Sequence, residues 1–326
     1  MKKLTCFLLF VATFANAQIA RHRTATLMGS RFDLTVVAKD SLTAEAYIDT
    51  AIVEISRIEN VISEWIPTTE VSLVNQNAGV KPVKVSGELF ELTKRALWFS
   101  KVSDGAFDIS FAAADRIWKF DGSMTELPAK KEIRKSVRLI GYENIVLDEQ
   151  QSTIFLKKVG MKIGFGSIGK GYAADIAKEL LVAKGVVAGI INASGDMNTW
   201  GTQPDGSAWT VGITDPVNTK AILLQIPMTK YTAVVTSGNY EKFAQLNGKR
   251  YSHIINPKTG YPASGLTSVT VFGDSAEAAN GFSTAIMVLG KEKGLKLINE
   301  FPEFSCLLVT DEGEFLTSTN LTFIKL

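Results

Sequence analysis

Gly164-Phe165-Gly166-Ser167-Ile168-Gly169-Lys170-Gly171 joins an apolar stretch, 160–165, to a segment, 167–183, in which Ile168, Tyr172, Ile176 and Leu180 recur at helical spacing. The spacing predicts a strand that turns sharply into a helix. The eight residues match the dinucleotide pattern GxGxxG and come close to a phosphate-binding loop, but both likenesses break down on inspection. A phosphate-binding loop needs Ser or Thr after its lysine, and position 171 is Gly. A doubly wound dinucleotide fold needs an acid about 20 positions on, at the end of the next strand. That strand ends Ile190-Ile191-Asn192, with no acid. What survives is backbone physics: glycines that let a phosphate approach a helix N-terminus, with Lys170 to supply charge. A tight strand-to-helix turn with a solvated lysine is the plainer alternative for this segment alone.

Outward from this turn, helices and strands come in blocks. Toward the N-terminus, 25–38 reads as a strand pair bent at Met28-Gly29-Ser30. From Ser41 to Trp65, Ile48, Ile52, Ile55, Ile58, Ile62 and Trp65 recur at spacings of three and four, one apolar face of a long helix. Further helices are expected at 87–102 and 129–137, and short strands at 143–148 and 152–157. Toward the C-terminus, strands are expected at 187–192, 208–213, 221–227, 231–236, 250–255 and 267–272. Helices at 275–289 and 291–299 and a closing run of strands complete the chain. Blocks, not strict alternation, favour α+β over a doubly wound parallel sheet. With no repeat, low-complexity run or flexible linker, residues 18–326 are expected to form one domain.

Residues 1–17 are set apart. Lys2 and Lys3, an apolar run from Leu4 to Phe14, and Ala15-Asn16-Ala17 have the form of a signal peptide cut before Gln18. Cys6 precedes most of the apolar run, whereas a lipid-bearing cysteine would follow it. No later segment approaches the roughly 20 apolar residues of a membrane helix, so an exported, periplasmic or otherwise extracytoplasmic, soluble chain is expected. Cleavage takes the 35 basic residues to 33 against 33 acidic ones, which leaves no long-range pull toward nucleic acid or anionic membrane. Cys306 is then the lone cysteine and sits in an apolar run, as a buried thiol would. His22 and His253 are the chain's two histidines. A zinc site built from Cys and His is therefore nearly excluded, and any metal is expected to be held by oxygen, as Mg²⁺ or Ca²⁺ would be.

Three other clusters have the composition of turns beside a ligand: Asn192-Ala-Ser-Gly195-Asp196, Thr236-Ser237-Gly238-Asn239-Tyr240, and His253-Ile-Ile-Asn256-Pro257-Lys258-Thr259-Gly260. Each follows an apolar strand, and each alone could be an ordinary turn. His253 stands at a strand end, where a general base would be useful. Taken in order with Leu27-Met28-Gly29-Ser30, Ser63-Glu-Trp65, Glu70-Val71-Ser72-Leu-Val-Asn75, Asp104-Gly-Ala106-Phe107-Asp108-Ile-Ser110, Ser167 to Asp175 and Asn280-Gly-Phe-Ser283-Thr284-Ala285, they resemble one family along nearly the whole mature chain. That family is the ApbE-type FAD:protein FMN transferases.

The resemblance implies a two-lobed fold with mixed or antiparallel sheets, flanking helices and FAD in the cleft between the lobes. It assigns Met28, Trp65, Ala106, Phe107 and Asp108 to the flavin or adenine pocket, and Lys170 to the FAD phosphates. It assigns Ser167, Asn280 and Thr284 to Mg²⁺, and His253 to the general base that activates a Thr or Ser hydroxyl on an exported acceptor protein. Read from the residues alone, Trp65 ends the isoleucine stripe and suits core packing, and a bare Asp108 suits a cap or turn. The chain also departs from the family. Position 280 is commonly Asp and here is Asn. Gly164 stands where many members carry Asp, and Asn256 replaces a common Asp. Glu277, one turn before the metal position, reads as solvated. FAD hydrolysis to FMN and AMP, and a non-catalytic flavin carrier, are the competing functions. A nicotinamide dehydrogenase is what GxGxxG alone suggests, and the missing acid argues against it.

The leader predicts a mature chain that begins at Gln18. N-terminal mass spectrometry of protein from a native host should find that end, and an intact Met1 or a lipid on Cys6 would contradict it.

Overall fold

An isoleucine stripe and the sheet it covers form one wall of the core. The computed structural model describes residues 18–114, 116–216, 218, 221–240, 243–246 and 248–321; the expected leader lies outside the described residues. Strands β1 (Ile19–Leu27) and β2 (Ser30–Ala38) form a hairpin whose turn puts Met28 and Gly29 at positive φ. Asp40 then caps α1 (Ser41–Ile62) by accepting from Thr43 N at 2.7 Å. Ile48, Ile55 and Ile58 are fully buried, as the spacing requires. The helix stops at Ile62 because Ser63 turns extended. Trp65 therefore falls beyond its end and is 67% exposed, so it does not continue the stripe.

A smaller part of the fold follows: α2 (Glu70–Gln76), β3 (Val83–Lys84), α3 (Gly87–Val102), α4 (Lys130–Ser136), β4 (Ile145–Asp148) and β5 (Thr153–Leu156). Its strands form a three-stranded sheet in the order β3-β5-β4. The larger part comprises α5 (Gly169–Ala183), β6 (Ala188–Ala193), β7 (Asp196–Trp200), β8 (Thr210–Thr214), β9 (Ile222–Pro227), β10 (Ala233–Gly238), β11 (Phe243–Leu246) and β12 (Lys249–Ser252). It continues through β13 (Leu266–Gly273), α6 (Ala276–Leu289), α7 (Lys291–Asn299), β14 (Ser305–Thr310) and β15 (Phe315–Thr317). The main sheet runs β1-β2-β6-β7-β10-β13-β14-β15 and is antiparallel throughout. Helices α1, α5 and α6 lie side by side on it, over β1–β2, β6–β7 and β10–β13 in turn. The β8–β9 hairpin contributes Val211, Ile213 and Ile226 to a second apolar cluster with Phe272 and Leu307. The architecture is α+β, with helices and antiparallel sheets, as the blocks of elements predict.

One local difference from the sequence reading has a clear cause. The expected strand 160–165 joins no ladder. Its backbone is held by the Asn75 side chain, which accepts from Ile163 N at 2.7 Å and donates to Ile163 O at 2.9 Å. One amide thus replaces a neighbouring strand. The cluster Asn192 to Asp196, which has the composition of a turn, forms a tight hairpin joining β6 to β7. Ser194 and Gly195 both have positive φ, and Ala193 pairs with Asp196. Cys306 is fully buried, and burial pushes its thiol up to about 12.

The start of α6 is tied to α5 by one carboxylate. Asp175 accepts from Ala276 N at 2.9 Å, Glu277 N at 3.0 Å and Ser275 Oγ at 2.7 Å, and also from the Asn198 side chain on β7. Asp175→Ala leaves these donors without an acceptor, at a cost of about 2–3 kcal/mol. At roughly 2–4 °C per kcal/mol for a chain of this size, the melting temperature should fall by about 4–12 °C. A thermal melt within about 1 °C of wild type would contradict the role given to Asp175.

Candidate active site

Both helices that meet at Asp175 present polar side chains to one cleft. Asn280 and Thr284 lie one turn apart on α6 and face the same way; Asn280 is buried. Ser283, between them, bonds Ser237 Oγ on β10 at 2.8 Å and so fixes the rotation of α6. Ser167 and Lys170 come from the start of α5. That start has no side-chain cap and no acid in its first turn, and Gly166 ahead of it is exposed, with open space where a Cβ would be. Asp196 enters from the first position of β7 and lies 3.2 Å, through Oδ2, from Lys170 Nζ.

The cleft encloses about 340 Å³. Ala106, Asp108, Ser167, Lys170, His253, Asn280 and Thr284 all line it, so seven of the residues assigned from the sequence are brought together. His253 follows β12 and faces the edge of Phe120 at 6.4 Å. The turn beyond it is closed by Asn256, whose side chain accepts from Lys258 N at 2.9 Å. Next to this cleft lies a second space of about 260 Å³, walled by Trp118, Phe120 and Val137; Glu64, Phe111, Ala112, His253 and Ile255 border both.

Three assigned residues stand elsewhere. Phe107 is fully buried with its ring 5.7 Å from that of Phe99, so its side chain belongs to the core. Met28 packs against the main apolar cluster, and its N–H donates to Glu59 Oε2 at 3.0 Å. Trp65 stands outside the cleft lining, with the Arg116 guanidinium 4.1 Å over its ring; Arg116 in turn borders the second space.

The carboxylates differ in how they are satisfied. Asp108 accepts from Ser110 N at 2.8 Å, Ser110 Oγ at 2.6 Å and Tyr142 N at 2.9 Å. Burial pushes its carboxyl up, and these hydrogen bonds oppose the shift. Its oxygens are engaged in capping, as a bare Asp after Gly-Ala-Phe suggests. Glu277 corrects a reading: it is 7% exposed, not solvated, and grips Arg95 at 2.7 and 3.0 Å. Asp196 is buried outright. Desolvation pushes its carboxyl up, while Lys170 and the Asn280 amide work the other way. Beyond the Lys170 ion pair, its Oδ2 accepts no hydrogen bond of normal geometry. Among the described residues no group of three or more His, Cys, Asp or Glu side chains could hold a metal. A cation here would rely on Ser167, Asn280 and Thr284 oxygens, with Asp196 nearby. Sequence reasoning gave no role to Asp196 or Glu64, although both fall in stretches that it had marked, Asn192 to Asp196 and Ser63-Glu-Trp65.

A sequence model of the ApbE family matches residues 28–308, and the chain belongs to that family. A FAD:protein FMN transferase of Klebsiella pneumoniae is 30% identical over 90% of this chain and 90% of its own length. One of Treponema pallidum is 30% identical over 81% of this chain and 76% of its own. Among solved structures, the ApbE protein of Thermotoga maritima superposes with a TM-score of 0.83 at 28% identity, covering 92% of this chain and 97% of that one. The flavin transferase ApbE of Vibrio cholerae gives 0.80 at 25% identity, over 93% and 98%. This membership makes the chain an enzyme of the transferase class.

Proposed function

We propose that this protein transfers the FMN half of FAD to a Thr or Ser hydroxyl of another exported protein, releasing AMP, with Mg²⁺ as the cofactor. One observation carries the reading: the Lys170 ammonium, an uncapped helix start, three neutral oxygen-bearing side chains and an imidazole border a single cleft. The helix start and Lys170 suit a pyrophosphate. An all-oxygen donor set with few protein ligands, beside a buried carboxylate oxygen lacking a normal hydrogen bond, suits Mg²⁺ and disfavours a softer metal. Ser167, Asn280 and Thr284 would hold it, and when bound it would neutralise charge at the pyrophosphate.

In this reading His253 accepts the proton of the acceptor hydroxyl as its oxygen bonds to the FMN phosphorus. The bond from that phosphorus to the bridging oxygen breaks, and AMP leaves with the bridging oxygen. Lys170 stays beside the phosphates and offsets the charge that builds on them. The Asp196 carboxylate, paired with Lys170, holds that ammonium in place. Export with cleavage before Gln18 belongs to the same proposal and would bring the enzyme to acceptors outside the cytoplasm. No helix among the described residues is long and apolar enough to cross a membrane.

Purified protein incubated with FAD, Mg²⁺ and a flavin-acceptor protein should release AMP and leave flavin covalently on the acceptor. AMP with free FMN would indicate hydrolysis instead, and no AMP would indicate a carrier. His253→Ala should keep FAD affinity while slowing AMP release by about 10²–10⁴-fold; full turnover in that variant would remove His253 from the chemistry. Asn280→Asp adds a charge beside the metal position. It should lower the Mg²⁺ concentration for half-maximal AMP release by roughly tenfold. Coincident Mg²⁺ curves would show that Asn280 is not a ligand.

A further inference from the structure

We propose that Glu64 is a substrate-binding residue of this cleft, its carboxylate filling the space in front of Gly164 and accepting a hydrogen bond from an N–H or hydroxyl of FAD. The inference rests on the flavin-transfer reading above and names a contact within it. It starts from the question of why position 164 is glycine. Gly164 is not among the residues with positive φ, so its backbone makes no demand for one. The demand is spatial. A Cβ on Gly164 would lie 1.5 Å from Glu64 Oε2 and 2.7 Å from its Cδ. The Glu64 carboxylate occupies the place that a side chain at position 164 would take, and Gly164 and Glu64 form one feature.

That carboxylate is held by a fixed backbone. The segment after α1 is fastened by the first turn of α2: Thr69 Oγ1 donates to Ser63 O at 2.8 Å, and Ser72 Oγ to Ile66 O at 2.7 Å. The side chain it delivers is only 21% exposed. No hydrogen bond from the protein reaches the Glu64 carboxylate among the described residues. Its closest ion-pair partner, Arg116 Nη2, is 3.9 Å away. Burial pushes the carboxyl up, with Arg116 and Lys162 opposing only in part. A half-enclosed carboxylate without donors is costly unless a ligand brings them.

Its position indicates which ligand. Glu64 borders both the polar cleft, which holds Lys170, and the aromatic space walled by Trp118 and Phe120. A dinucleotide with phosphates in the first and a ring in the second would pass beside it. FAD offers donors in either half: the flavin imide N–H and ribityl hydroxyls, or the adenine amine and ribose hydroxyls.

The test measures FAD binding by quenching of flavin fluorescence, with Mg²⁺ present and without acceptor. Glu64→Ala should weaken FAD roughly tenfold or more while its melting temperature stays at the wild-type value. Gly164→Asp introduced into Glu64→Ala should recover most of that affinity, since a carboxylate then reaches the vacated space from the other side. Riboflavin and ADP, titrated separately, identify the half involved: the ligand whose affinity falls in Glu64→Ala is the one that Glu64 touches. Unchanged FAD affinity in Glu64→Ala overturns this inference alone, as does a loss that Gly164→Asp leaves uncorrected. A wild-type protein that does not bind FAD overturns the flavin-transfer reading and this contact together.

Discussion

The start of α6 lies against α5 at backbone distance, and the cleft depends on that contact. A Cβ on Gly171 would meet Ala276 O at 2.4 Å and Glu277 N at 2.8 Å, so no other residue fits without moving a helix. One turn further along α5, Asp175 accepts from the first N–H groups of α6 and offsets the positive end of that helix. Glycine sets how close the helices come, and the carboxylate sets their register. Ser167 and Lys170 at the start of α5 are thereby set opposite Asn280 and Thr284 on α6. The asparagine on β7 that also bonds Asp175 extends the constraint into the sheet. Asp196 lies two residues from it on the same strand.

The buried and half-buried carboxylates divide by how completely the protein satisfies them. Glu277 has Arg95, and Asp108 has two backbone N–H groups and a hydroxyl. These are structural acids, fully met by the protein. Asp196 has one cation and an oxygen without a normal hydrogen bond, and the Glu64 carboxylate accepts no hydrogen bond among the described residues, with the Arg116 guanidinium 3.9 Å away. Both incompletely met acids border the cleft. Burial disfavours a carboxylate that lacks donors, and such groups persist where a ligand completes them.

Much of this was legible in the sequence, for reasons that can be named. The helices announced themselves because Ile48, Ile55 and Ile58 must share a face to be buried. Seven residues assigned through motif order line one cleft. What failed was direction. Phe107 and Trp65 belong to the right motifs, but linear order does not reveal whether a side chain turns to the core or to solvent. The strand expected at 160–165 failed because its backbone is met by a side chain, Asn75, 88 residues away in sequence. Asp196 was marked only as part of a turn, since the hairpin that aims it depends on positive φ at Ser194 and Gly195. Glu64 lay inside the motif Ser63-Glu-Trp65 but was given no role, because its link to Gly164, 100 positions on, appears only when the chain is folded.

The charge balance bears on the order of binding. Lys170 is paired with Asp196, and the remaining oxygens at the metal position, from Ser167, Asn280 and Thr284, are neutral. The protein then offers a divalent cation dipoles but almost no net charge. Hard cations answer chiefly to ligand charge, so on the proposed reading most of the negative charge must come from the pyrophosphate. Metal and dinucleotide would bind as a unit, each weak without the other, which is a coupling free energy between two ligands in one cleft. An aspartate at position 280 would loosen that coupling by giving the metal a charged ligand before the substrate arrives. On the same reading, asparagine there would make Mg²⁺ binding conditional on FAD.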